Sequence, residues 1–125
     1  MVYKYDLSLP LTSTYGLIEE MRDRLRDLDC LVVGFGHLGD GNVHLNVSCT
    51  DPSQSAAVVN RIEPYVYEWT AKHRGSISAE HGLGTMKAEH IRYSKSDSAV
   101  AWMRKMKTLF DPQGILNPYK VLPQE

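Results

Sequence analysis

Between Gly34 and Ser48 the chain reads GFGHLGDGNVHLNVS, and no other stretch constrains the fold as strongly. NVHLNVSC alternates strictly, which puts Val43, Leu45 and Val47 on one face of a strand and His44, Asn46 and Ser48 on the other. The preceding CLVVGFGH has the apolar, β-branched character of a short buried strand. Asp-Gly between two such runs predicts a β-hairpin closed by a two-residue turn at Asp40-Gly41. In that register His37 faces His44, Leu38 faces Val43, and Asn46 lies on the histidine face opposite Phe35. Directly opposed residues have Cβ atoms ~4.5–5.5 Å apart. Two imidazoles so placed can converge on one ion, with each nitrogen ~2.0–2.1 Å from it. A pair of hydrogen-bonded histidines on a polar strand face would give the same pattern, so the hairpin alone leaves both readings open.

The same stretch spells G-x-G-x-x-G through Gly34, Gly36 and Gly39. A dinucleotide-binding turn needs a helix after those glycines, so that its N-terminus faces the pyrophosphate. Here an alternating strand follows, and the motif fails on context. HGLGTMK, with two glycines and Lys87, also lacks phosphate-loop spacing.

The rest of the chain frames the hairpin. VYKYDLSL alternates as a first strand ending at Pro10, and a helix from Thr12 or Ser13 carries Leu17, Ile18, Met21, Leu25 and Leu28 on one side. Asp51-Pro52-Ser53 opens a second helix with Val59, Ile62, Val66 and Trp69 as its stripe, kinked or restarted at Pro64. GSISA reads as a fourth strand and Asp97 to Phe110 as a third helix, before the Pro- and Gly-pinned tail DPQGILNPYKVLP. The order is that of an α+β, ferredoxin-like split βαβ: an antiparallel sheet with helices on one face, here with a C-terminal helix and extended tail appended. Residues 1–125 are expected to form one domain, for which 125 residues at 42% hydrophobic suffice.

A formal net charge of −1 without basic runs gives nucleic acid nothing to bind, and no apolar stretch reaches the ~20 residues of a membrane span. MVYKYDLSLP has neither a signal-peptide nor a transit-peptide pattern. Cys30 and Cys49 lie in apolar runs and are expected to be reduced, buried thiols. Trp69 and Trp102 are expected in the core, His73 and His90 on the surface, and MRDRLRD as a solvated helix face with i,i+4 pairs.

A third ligand for the histidine pair has to come from elsewhere. In SAEHGLG, Glu80 and His81 are adjacent and follow the fourth strand. A carboxylate commonly completes a two-histidine site with open positions, and a neighbouring histidine is then free for acid–base work. Spacing does not bring Glu80 to the hairpin, because the fourth strand of this plan is not a neighbour of the third.

GHLGDGNVHLNV, GSISAEHGLG, YSKS and DPQGILNPYKVLP, in this order, resemble the C-terminal part of the D-2-hydroxyglutarate dehydrogenases, FAD-dependent oxidoreductases of the vanillyl-alcohol-oxidase type. The likeness runs from Val2 to Gln124. D-lactate dehydrogenases and glycolate oxidase subunits share the H-x₆-H and E-H-G-x-G elements. The tail NPYK is closer to the hydroxyglutarate enzymes, since the lactate enzymes tend to carry Gly where Tyr119 stands. The resemblance implies a divalent metal, usually taken as zinc, on His37, His44 and Glu80. It implies Asn46 as a substrate contact, His81 as substrate contact and catalytic base, and Asn117 against the flavin. It further implies a D-2-hydroxy acid substrate oxidised to the 2-oxo acid, with an electron-transfer flavoprotein or quinone as acceptor. The compartment implied is the mitochondrial matrix for a eukaryotic parent and the cytoplasm otherwise.

Nothing in the chain can build an FAD-binding domain, so the expectation is a substrate-and-metal half-site without turnover on its own. The rival from another class is a non-catalytic ferredoxin-like module with structural histidines. In either case an exposed sheet edge offers a route to a homodimer.

Overall fold

The computed structural model describes residues 1–124. The elements are β1 (Val2–Ser8), α1 (Leu11–Arg24), β2 (Cys30–Phe35), β3 (Asn42–Cys49), α2 (Ser55–Ile62), α3 (Tyr65–Lys72) and α4 (Asp97–Phe110). The sheet is antiparallel with strand order β1-β3-β2. The alternation read from β3 is the partition observed: Val43, Leu45 and Val47 are buried, while His44, Asn46 and Ser48 are half-buried on the opposite face. Tyr5 and Leu7 of β1 extend the apolar face, against which Leu17, Ile18 and Met21 of α1 and Val58, Ile62 and Val66 of α2 and α3 close the core.

The expected fourth strand shrinks to a single bridge, Ser8 to Ser76, with N–H···O bonds of 2.9 and 2.8 Å. It sits on the free side of β1, where the fourth strand of the split βαβ plan belongs. Pairing stops there for a local reason. Ser76 Oγ donates to Ser78 O at 2.9 Å, and Ile77 N donates to Ser94 Oγ at 2.8 Å instead of to a strand. The backbone after Ser76 therefore leaves the sheet edge and folds over its polar face.

The second helix restarts at Pro64 as its sequence predicts, with α2 ending at Ile62 and α3 beginning at Tyr65, since proline has no N–H to continue the ladder. Asp51 Oδ1 accepts from Ser53 N at 2.9 Å, capping a short 3₁₀ turn that precedes α2. Of the charges in MRDRLRD only Arg26 and Asp23 pair within the segment, three apart. Arg22 Nε donates to Val32 O, Arg24 Nε donates to Arg61 O, and Asp27 pairs with Arg61, so this face ties α1 to β2 and α2.

Cys30 and Cys49, expected as thiols, are directly paired across β2 and β3 and joined as a disulfide. Register decides this, because it brings the two Cα atoms to 4.3 Å. Trp69 is core, but Trp102 is 63% exposed: α4 buries only Val100, and Met106, Leu109 and Phe110 also face outward. His73 and His90 are half-buried. His73 stacks on Trp69 with ring centroids 3.7 Å apart, and His90 lies 4.6 Å from the Tyr67 ring.

Candidate metal and substrate site

The hairpin that carries the histidines is not closed by two residues. His37 and Asn42 exchange backbone hydrogen bonds at 3.1 and 3.2 Å, and Leu38–Asp40 between them form a 3₁₀ turn. Gly41 completes it in the left-handed region, at φ 75°. This four-residue loop shifts the register, so that Phe35 faces His44 and Val33 faces Asn46. His37 is thus diagonal to His44 rather than opposite it. A shift of two in the pairing preserves the pleat, so both histidines stay on one face. Phe35 takes the place expected for His37 and stacks on the His44 ring at 5.3 Å.

Glu80 and His81 reach this face through a residue the sequence reading passed over. Asp6 sits at the centre of β1, directly opposite His44 and only 2% exposed. Its Oδ2 accepts two backbone N–H bonds, from Glu80 and His81, each at 2.8 Å. One buried carboxylate therefore fastens the loop beyond Ser78 over β1, bringing Glu80 to β3 across the intervening strand. Burial by itself would push the Asp6 carboxyl up. The His81 and Glu80 N–H donors and the His81 ring outweigh it and hold the group below the usual carboxylate range. The available signal was an aspartate in an alternating apolar strand, where a charge needs a reason.

At the centre of the site is Glu80 Oε1. It lies 3.0 Å from His44 Nε2, 3.7 Å from His81 Nε2 and 4.0 Å from His37 Nε2. Ligand atoms of Asp6, His44, Glu80 and His81 all lie within 4.8 Å of one another. His37 stands outside that group and meets it through Glu80. Donors ~2.0–2.2 Å from a shared tetrahedral ion are about 3.3 Å apart, so His44 and Glu80 are already at ligand separation, whereas the exposed His37 side chain has to close on both of them. Two imidazole nitrogens and a carboxylate oxygen with an open fourth side fit a catalytic divalent metal.

The remaining positions divide into near and far. His44 is 15% exposed, whereas His37 and His81 are 65% and 62% exposed. The mouth of the site is therefore open over a buried floor. Asn46 shares the His44 face, and its side-chain amide has no hydrogen-bond partner among the described residues. Asn117 is not part of this cluster. It lies in a groove between α4 and the tail with Arg104 and Tyr119. The tail is nonetheless tied to the site loop, since Val121 N donates to Gly84 O at 2.8 Å. Asp111 holds the turn before it by accepting from Ile115 N and Leu116 N.

With this geometry in view, comparison with known proteins places the chain. Residues 1–121 match the family described as FAD linked oxidases, C-terminal domain. The chain is 62% identical to the mitochondrial D-2-hydroxyglutarate dehydrogenase of Arabidopsis thaliana, over 98% of its own length and 21% of that protein. It is 57% identical to the mitochondrial D-2-hydroxyglutarate dehydrogenase of Bos taurus, over 98% of its length and 22% of the relative. It is 41% identical to the D-2-hydroxyglutarate–pyruvate transhydrogenase of Saccharomyces cerevisiae, over 97% of its length and 26% of the relative. The chain thus spans about a fifth to a quarter of the curated relatives it matches. By the match over nearly its whole length, this chain belongs to the FAD-linked oxidase C-terminal domain family.

Proposed function

We propose that residues 1–125 are the substrate- and metal-binding domain of an FAD-dependent dehydrogenase that oxidises D-2-hydroxyglutarate to 2-oxoglutarate. The observation that carries this is the convergence of His44, His81 and His37 on one carboxylate oxygen of Glu80. The family match and the relatives' names support the reaction class. A divalent ion, zinc by its donors, would be held by His37, His44 and Glu80 and supply Lewis-acid polarisation, while FAD, held mainly by polypeptide outside these residues, would accept the hydride.

Oxidation of a 2-hydroxy acid removes a proton from the α-hydroxyl and a hydride from Cα. The proton is this chain's task. His81 stands at the open side of the cluster with Nε2 3.7 Å from Glu80 Oε1, and it takes the hydroxyl proton on a ring nitrogen. Asn46, with an unengaged amide on the His44 face, hydrogen-bonds the substrate. The Phe35 ring beside His44 excludes water from one side. Asn117, in the tail groove, would be this chain's contact to the flavin. An electron-transfer flavoprotein or a quinone would be the electron acceptor of the whole enzyme. The mitochondrial names of the relatives support a mitochondrial parent, and we assign it to the matrix.

Zinc titration of the chain against a chromogenic chelator tests the site. One Zn²⁺ per chain is expected, with affinity at least a hundredfold lower in His44→Ala and in Glu80→Ala. Absence of stoichiometric binding, or binding indifferent to both substitutions, refutes the metal site and leaves the non-catalytic module.

A further inference from the structure

The site contains one group that its proposed chemistry does not use. Asp6 is buried, and its Oδ2 is fully occupied by the N–H groups of Glu80 and His81. Its Oδ1 has no hydrogen-bond partner. The atom it faces is His44 Nδ1, 3.9 Å away, and this is the only ion-pair contact Asp6 makes among the described residues. Fastening the loop needs one acceptor oxygen and no charge; an asparagine would do it. A buried carboxylate with an idle oxygen is costly unless a donor or a cation answers it.

We propose that Asp6 is a positioning residue for the metal site: its Oδ1 accepts a hydrogen bond from His44 Nδ1–H, fixing that ring with a bare Nε2. The proposal rests on the metal reading above. The two nitrogens of an imidazole point away from each other, so a ring held at Nδ1 from the β1 side offers its other lone pair outward. That is the side on which Glu80 lies, 3.0 Å from Nε2. Asp6 is therefore not itself a ligand, although it lies within 4.8 Å of the ligand cluster, because it addresses the wrong edge of the His44 ring. The same side chain thus sets both the loop that carries Glu80 and the tautomer of His44. Two of the three ligands depend on one strand residue. Closing 3.9 Å to a hydrogen bond needs about one ångström of ring movement.

Asp6→Asn separates this role from loop anchoring. The asparagine oxygen still accepts from Glu80 N and His81 N, but its amide presents donors to Nδ1 and favours the opposite tautomer. The expected result is a 10- to 100-fold weaker zinc affinity by chelator competition, with the metal-free chain still folded by far-ultraviolet circular dichroism. Zinc affinity within twofold of the parent overturns the proposal.

A second measurement needs no metal. In Glu80→Ala, which removes the competing acceptor at Nε2, ¹⁵N spectra of the His44 ring at pH 8.5 should show the Nδ1–H tautomer. Adding Asp6→Asn to that variant should convert it to Nε2–H. An Nε2–H ring in Glu80→Ala, or no change on adding Asp6→Asn, overturns the assignment of Asp6 without reference to zinc. Failure of the parent chain to bind zinc refutes the metal reading instead, and the tautomer still decides the role of Asp6.

Discussion

The loop that sets the histidine register turns on Gly41, and substituting alanine there tests the geometry. Gly41 has φ 75° and ψ 13°, where an L side chain costs about 1–2 kcal/mol. A Cβ at this position would stand 2.4 Å from the Leu9 carbonyl oxygen, a backbone atom that cannot rotate away. Leu9 is held close by its own bond, donating its N–H to Gly41 O at 2.9 Å. Relieving the overlap must shift the loop or the β1–α1 corner, which adds about 1–3 kcal/mol as in other overpacked sites. The sum is roughly 3.5 kcal/mol, or about 400-fold in the folding equilibrium, taken at the middle of both ranges. Gly39, two residues earlier in the same loop, is the control. It lies outside the left-handed region, and a Cβ there would meet nothing within 4 Å. Gly39→Ala should be neutral or stabilise by up to ~1 kcal/mol through the unfolded chain. Urea unfolding followed by far-ultraviolet circular dichroism reads both as midpoint shifts at constant slope. A Gly41→Ala variant within 0.5 kcal/mol of the parent by the same assay would refute the reasoning, as would equal losses at the two glycines.

Two further outcomes follow from burial and charge. Asp6 and Asp111 are both held below the usual carboxylate range, Asp6 by backbone N–H donors that outweigh its burial and Asp111 chiefly by Lys107. Their folded-state values lie below the unfolded ~3.9, so the stability they contribute is complete above that range and is lost as pH falls through the folded values. The urea midpoint should be level from pH 7 to about 5 and fall below about pH 4; a midpoint that rises in acid would contradict the assignment. The tryptophans should part company under the same denaturant assay. Trp69→Ala should cost about 3–5 kcal/mol, and Trp102→Ser should lie within about 0.5 kcal/mol of the parent. Similar losses at both would place α4 in the core.

Much of the site could be read along the chain, because the relevant periods are local. A period of two puts His44 and Asn46 on one face of β3 whatever lies beside it, and Asp97–Phe110 emerges as the helix its spacing predicts. The resemblance carried by GHLGDGNVHLNV and SAEHGLG is likewise a matter of order and distance in sequence, and it led to the family that the match confirms. Tertiary structure decided what depends on partners far away in the chain. The hairpin register depends on whether Leu38–Asp40 coil into a 3₁₀ turn, and that choice places Phe35, not His37, opposite His44 and closes Cys30 on Cys49. Glu80 reaches β3 only because a carboxylate 74 residues earlier in the chain holds its backbone, a contact no local pattern encodes. Exposure of Trp102 follows the same logic. A helix's spacing shows which residues share a face, whereas burial of that face requires something packed against it, and α4 commits only Val100 to the rest of the domain.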